Sequence, residues 1–317
     1  MRQPRPGPAA APVVRLPLKP LLLVLATAIT VYAVVLAVFG EGSALASLQR
    51  LGSWAGLQAL ALCLLNYLLR GLRWRRWMAH FGRPLGLIEG LRLYLAGYTF
   101  TPTPGNIGEA ARGLLLARQP LSSTQSLAMF GAERLADLFV LLLMALPVVW
   151  YVSGAGGSGT AARLALALGL LVLALLVLLC LWMQFRLRLL RRLPWLDGAW
   201  RCLAIQPAAW LGLTGVAWAA QGVAVWLLCR DAGLSIGVVQ AAGFYAVAMV
   251  GGALSLLPAG LGGTEALLTG LLVLHGASTA QAVGITVLVR LATLWFAVAI
   301  GALALVYSAA IRDISFR

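Results

Sequence analysis

The sequence predicts an all-α polytopic membrane protein of about six transmembrane helices plus two re-entrant broken hairpins, arranged as an inverted repeat. Three observations carry this reading. Of 317 residues, 62% are apolar and only 10% are charged, and the mean hydropathy of +0.93 exceeds what a soluble domain with a polar skin reaches. The net charge of +15 is clustered between long apolar runs, as in the cytoplasmic loops of membrane proteins. Two further apolar stretches are interrupted by proline and glycine in their middles. Together these exclude a soluble enzyme, a disordered tail, a secreted disulfide scaffold and a nucleic-acid-binding protein.

Six runs reach the roughly 20 residues that a crossing needs. They are 21–39, 51–69, 122–152, 164–185, a segment within 202–229, and 280–310. The first has a basic start and ends near Ala44-Leu45-Ala46, as a cleavable signal does. Its 19 uncharged residues exceed the usual apolar core of about 7–15 residues, so it reads as a retained anchor. Seventeen basic residues fall on one side, among them Arg2, Arg5, Arg15, Lys19, Arg70, Arg73, Arg75, Arg76 and Arg83, against Arg50, Arg163 and Arg230 on the other. The positive-inside rule then puts both termini in the cytoplasm. The expected layout is a cytoplasmic tail over 1–17, one integral-membrane domain over 18–310, and a second tail over 311–317. The longest loop, 186–207, reads as an Arg-rich interfacial segment anchored by Trp195 and Trp200.

The first broken stretch, 87–116, contains Thr101-Pro102-Thr103-Pro104-Gly105-Asn106, which ends any helix. Each arm is about 12–14 residues, roughly 20 Å of helix, too short for a hydrocarbon core of about 30 Å. Basic residues at both ends make it a hairpin dipping in from the cytoplasm. The second, 236–275, breaks at Leu257-Pro258-Ala259-Gly260-Leu261-Gly262-Gly263 and begins and ends on the outer side. Irregular backbone at membrane depth is tolerated only where protein buries it or it lines a cavity. The two breaks therefore mark the functional centre.

An internal repeat underlies this pattern. A shift of 156 residues places Trp54 on Trp210, Glu109 on Glu265, Gln125 on Gln281, Arg134-Leu135-Ala136 on Arg290-Leu291-Ala292, and Leu138 on Leu294. Upstream, a shift of 151 matches Gly86 with Gly237 and Tyr94 with Tyr245. Repeat one spans about 51–152 and repeat two about 207–310, each a span–hairpin–span unit entering from opposite sides. Secondary transporters build midplane sites from such inverted repeats.

The charges inside the membrane are the candidate substrate-binding residues: Glu109, Glu133, Arg134, Asp137, Glu265 and Arg290. A charge at the bilayer centre costs at least about 2.5–3.5 kcal/mol on insertion scales. Each has a structural reading beside the functional one. Glu133, Arg134 and Asp137 share a helical face and make a self-neutralising cluster. Glu109 stands three residues after Asn106, and Glu265 falls in the first turn after Gly262-Gly263-Thr264, so both fit caps at half-helix starts. Arg290 has no acid on its own helix and needs a hairpin carboxylate, Glu109 or Glu265, or an outside anion. Arg92 and Arg112 read as snorkelling to the interface.

The cysteines Cys63, Cys180, Cys202 and Cys229 lie in or beside apolar runs without metal-binding spacing, and His80 and His275 are far apart. They read as packing residues, with no metal or cofactor. No hydrolase or metalloprotease motif is present.

Pro104-Gly105-x-x-Gly108-Glu109, Glu133-Arg134-Leu135-x-Asp137, Leu257-Pro258-x-Gly260-x-Gly262-Gly263-x-Glu265 and the later Arg290 resemble one family in order and spacing. It is the lysylphosphatidylglycerol synthase transmembrane (flippase-like) domain family, which includes the MprF-type proteins, and the resemblance covers about 18–310. It implies a stand-alone domain of the bacterial cytoplasmic (inner) membrane that moves a lipid between leaflets: a phospholipid, an aminoacyl-phospholipid, a hopanoid or a polyprenyl-phosphate type. A lipid-biosynthetic enzyme is an implied partner. The chain lacks the soluble aminoacyl-transferase domain of fused members, so it is expected not to be an enzyme. On this expectation a headgroup phosphate faces Arg134 or Arg290 and the positive half-helix N-termini. The acids neutralise the arginines when the site is empty, or carry a coupling proton. The rival readings are an ion-coupled small-solute transporter and a non-transporting subunit that scaffolds a lipid-modifying enzyme.

Overall fold

The computed structural model describes residues 49–103, 106–113, 116, 120–155, 193–255 and 257–311, with isolated positions at 26, 30, 169 and 171. Among the described residues every regular element is a helix and there is no strand. The spans expected at 21–39 and 164–185, the hairpin residues Pro104 and Gly105, and Cys180 lie outside or almost outside them.

The first helix, α1, runs Trp54–His80. Ser53 caps it, its hydroxyl accepting from the Gly56 amide at 3.1 Å. It does not stop at residue 69 as the sequence reading expected. Asn66, Arg70, Arg73 and Trp77 continue one helical face, all buried, so the arginines assigned to a cytoplasmic loop are helical. The helix ends where Gly82 takes φ 72° and the Arg83 amide bonds back to Met78 O at 3.0 Å, a left-handed C-terminal cap that glycine accepts without Cβ strain. The same cap recurs at Gly233 (φ 82°), where the Leu234 amide reaches Cys229 O at 3.0 Å.

After the first cap come α2 (Leu87–Ala96), a 3₁₀ extension over Gly97–Phe100, the break, and a 3₁₀ segment over Ile107–Gly113. Among the described residues the second arm of this hairpin is a 3₁₀ segment over Ile107–Gly113, where an α-helix was expected; Gly108 within it disfavours an α nucleus. The next helix, α3, spans Ser123–Ala155 over 33 residues, about 50 Å at 1.5 Å per residue. A short helix, α4 (Pro194–Ala204), precedes α5 (Pro207–Asp231).

The second broken stretch folds as α6 (Val238–Leu254) and α7 (Gly263–Leu274), joined by the Pro258-Ala259-Gly260 break and packed on each other. Helix α8 (Thr279–Arg290) passes through one π turn, Leu291–Trp295, into α9 (Phe296–Ala310). Helices Trp54–His80, Pro207–Asp231 and Thr279–Ala310 are long and apolar enough to cross a membrane.

At the centre α1 packs along α5, while α3 packs on α4 and α6, and α9 covers α2 and its 3₁₀ extension. The core between them combines Ala59, Cys63, Tyr67, Trp74, Ala224, Leu228, Phe244 and Tyr245. Alanines beside aromatics let backbones approach closely, which is how helices associate where lipid removes the hydrophobic drive. Cys63, Cys202 and Cys229 are buried and unbridged.

Candidate functional site

Asp137, buried midway along α3, receives two arginines from α1. Arg70 Nη2 donates to Oδ2 at 2.6 Å and Arg73 Nη1 to Oδ1 at 2.8 Å. Trp218 Nε1 of α5 donates to the same Oδ1 at 3.3 Å, and Arg73 also donates to Thr214 Oγ1 at 2.7 Å. Three helices thus converge on one carboxylate. The pairing has a clear cause: an isolated charge withdrawn from water costs several kcal/mol, so buried ions survive only with close opposite partners.

The second focus gathers on Glu133, one turn earlier along α3, and on Glu109 and Arg112 of the 3₁₀ segment. Arg112 donates from Nη1 to both Glu133 oxygens, at 3.0 and 2.9 Å, and from Nη2 to Glu109 Oε2 at 2.7 Å. Its guanidinium carbon sits 4.3 Å from the centre of the Tyr94 ring, close enough for a cation–π contact. Gly97 makes room for it, since a Cβ there would meet Arg112 Nε. Glu109 also accepts from Thr101 Oγ1 at 2.9 Å and from Arg134 Nη2 at 3.2 Å.

These contacts correct three expectations. Arg112 does not snorkel; it is buried among Tyr94, Glu109 and Glu133. Arg92, by contrast, donates to Ser308 Oγ at 3.1 Å and lies over the Tyr307 ring in the last turn of α9, contacts compatible with its reaching the interface. Glu133, Arg134 and Asp137 do not neutralise one another on their own face, because hairpin and α1 arginines take Glu133 and Asp137, leaving Arg134 only a 3.7 Å approach to Asp137. Glu109 is a hub for two arginines rather than a simple helix cap.

In the second half, Arg290 Nε donates to Glu265 Oε1 at 2.7 Å and Nη2 to Ala259 O at 2.9 Å. Glu265 also performs the capping role, its Oε2 accepting from the Gly262 amide at 2.7 Å. The break residues set this up: Ala259, Gly260 and Gly262 all have positive φ, which turns the Ala259 carbonyl toward Arg290. Immediately after Arg290 the π turn frees carbonyls of its own, and Tyr67 Oη donates to Thr293 O at 2.6 Å. Such single π turns recur at functional sites.

A cavity of about 350 Å³ joins the two halves. Arg70, Glu109, Arg134, Asp137 and Arg290 line it with Tyr67, Tyr98, Gln221 and Tyr245. Its exposed edge is apolar, formed by Leu138 of α3 with Ala253 and Leu254 of α6. Of the residues singled out in the sequence, Glu109, Arg134, Asp137 and Arg290 therefore meet at one cavity, while Glu133 and Glu265 stand behind it as partners of Arg112 and Arg290. Arg70 and Arg73 were missed. Their i, i+3 spacing on the face of Tyr67, Trp74 and Trp77 was the available signal, outweighed by the density of basic residues around them. Among the described residues no group of three or more His, Cys, Asp or Glu is placed to hold a metal ion.

A family model described as Lysylphosphatidylglycerol synthase TM region matches residues 22–301. The chain belongs to this family. No curated protein matches it. As a member of the lysylphosphatidylglycerol synthase transmembrane family it is a lipid-related, multi-pass membrane protein. The match runs through every element that lines the cavity.

Proposed function

We propose that the chain moves an anionic, phosphate-bearing lipid between the leaflets of the bacterial inner membrane, through the cavity between the two broken hairpins. One observation carries the reading: the cavity is charged with arginine inside and apolar at its exposed edge. A volume of about 350 Å³ is in the range of small-ligand sites and suits a headgroup, with acyl chains left outside against Leu138, Ala253 and Leu254. A site for a free solute has no use for such an edge.

Repetition of local structure supports the two-copy architecture. The Gly82 and Gly233 caps, the Gly86–Glu89 and Gly237–Gln240 contacts at the starts of α2 and α6, and the Glu109–Arg134 and Glu265–Arg290 pairs occur in the same order. In this reading each hairpin enters the membrane from its own side, the cytoplasmic one at 87–116 and the outer one at 236–275, and both termini are cytoplasmic. Helix α6 then brings Leu254 to mid-depth, so the cavity mouth between α3 and α6 opens sideways into lipid. Transport needs no catalytic group, and the site carboxylates serve to hold arginines in place.

The test is reconstitution into vesicles containing a trace of phosphatidylglycerol labelled on its acyl chain, with an impermeant quencher reporting outer-leaflet lipid. Vesicles with protein should lose the protected inner-leaflet fraction that empty vesicles keep. Identical protection in both would overturn the proposal.

A further inference from the structure

We infer that the cavity takes one net negative charge, the phosphodiester of a lipid whose headgroup beyond the phosphate is neutral and hydroxylated, and that Arg134 is the residue that meets it. This rests on the reading of the cavity as a lipid headgroup site.

Arg290 has its own acid, Glu265, and a carbonyl besides. The rest of the network holds four arginines, Arg70, Arg73, Arg112 and Arg134, against three carboxylates, Glu109, Glu133 and Asp137, all in mutual contact. Every carboxylate in it is held by at least one arginine. Among the described residues the network therefore carries one surplus positive charge, in surroundings where uncompensated charge is costly.

The surplus is localised on Arg134. Its two acidic contacts, 3.2 Å to Glu109 and 3.7 Å to Asp137, are the longest in the network, and both acids are held more closely by other arginines. Its side chain is 31% exposed, whereas Arg70 and Arg112 are 7% and 3% exposed, and it faces the cavity. A partly exposed cation at the cavity wall suits a phosphodiester, which it meets through charge-assisted hydrogen bonding.

The same count selects among headgroups. A phosphodiester balances the network. A dianionic phosphomonoester overshoots by one charge. A headgroup ammonium finds no carboxylate that an arginine does not already occupy, since Glu109, Glu133, Asp137 and Glu265 are all engaged. What the cavity offers beyond the phosphate is neutral: Asn106, Gln221 and the Tyr245 hydroxyl, which suit the hydroxyls of a glycerol or sugar.

The experiment measures thermal shifts of the full chain in detergent with short-chain phosphatidylglycerol, phosphatidylethanolamine and phosphatidic acid, and with water-soluble glycerophosphoglycerol. Phosphatidylglycerol should bind about tenfold or more tighter than the other two lipids, the ratio expected for one charge-assisted contact, and tighter than the soluble headgroup. Arg134→Gln, which balances the network at three against three, should stay folded and lose the preference, and Arg134→Lys should retain it. Glu109→Gln, with a surplus of two, should turn the preference toward phosphatidic acid. Equal affinity for phosphatidylglycerol and phosphatidylethanolamine, or loss of preference in a folded Arg134→Lys protein, overturns the inference. Glycerophosphoglycerol binding as tightly as the lipid overturns the lipid source. Selective binding without movement in vesicles would overturn translocation alone, and equal transport of all three lipids would overturn selectivity alone.

Discussion

Arg290 and Glu265, 25 residues apart in sequence, meet at 2.7 Å, and Arg134 and Glu109, at the same separation, meet at 3.2 Å. The two pairs differ in company. Arg290 is closed off by Glu265 and the Ala259 carbonyl, while Arg134 shares its acid with Arg112. One pair is complete and the other leaves a cation facing the cavity.

Glu265→Gln should destabilise the protein more than Arg290→Gln. Arg290 is 2% exposed and would keep only the Ala259 carbonyl, whereas Glu265 is 22% exposed and keeps the Gly262 amide and some water. Breaking a buried pair costs about 3–5 kcal/mol, with the lower end expected here because of that exposure. The double substitution should recover part of the loss, read by melting in detergent as a double-mutant cycle. Additive losses would refute the coupling.

Asp137→Asn should be the most damaging single change at the site. It leaves Arg70 and Arg73 together and buried, with no carboxylate closer than the Glu109 network. A loss of about 3–5 kcal/mol or failure to accumulate folded protein is expected, measured by yield and melting temperature. A variant as stable as wild type would show that the convergence of α1, α3 and α5 is not held by charge.

Gly97→Ala tests the passage of Arg112 beneath the 3₁₀ extension. The added Cβ meets Arg112 Nε, so the guanidinium must leave the Tyr94 ring or the backbone must shift. Overpacking of this kind costs about 1–3 kcal/mol. Melting should fall accordingly, and Gly97→Ala combined with Arg112→Ala should fall less than the sum of the two.

Orientation is checked by labelling. In a background lacking the native cysteines, Ser235→Cys, exposed between α5 and α6, should react with an impermeant thiol reagent in intact cells. Pro84→Cys, exposed between α1 and α2, should react only after lysis. The opposite pattern would reverse the membrane orientation.

The sequence by itself determined where several helices lie and where two of the apolar stretches break. Apolar runs 122–152, 202–229 and 280–310 became α3, α5 and the continuous α8–α9 rod, because hydrophobic length and proline or glycine breaks are local properties of the chain. The family resemblance was legible from motif order for the same reason. Only the tertiary structure decided which acid meets which arginine. Arg70 and Arg73 lie 67 and 64 residues from Asp137, and Arg112 lies 21 from Glu133. No periodicity encodes such partners; they follow from how helices pack. A basic residue at a helix end is read as an interfacial charge until a carboxylate from another helix is placed beside it. Once Asp137 is there, leaving the arginines in water is no longer the lower free energy, and the helix carries them into the core.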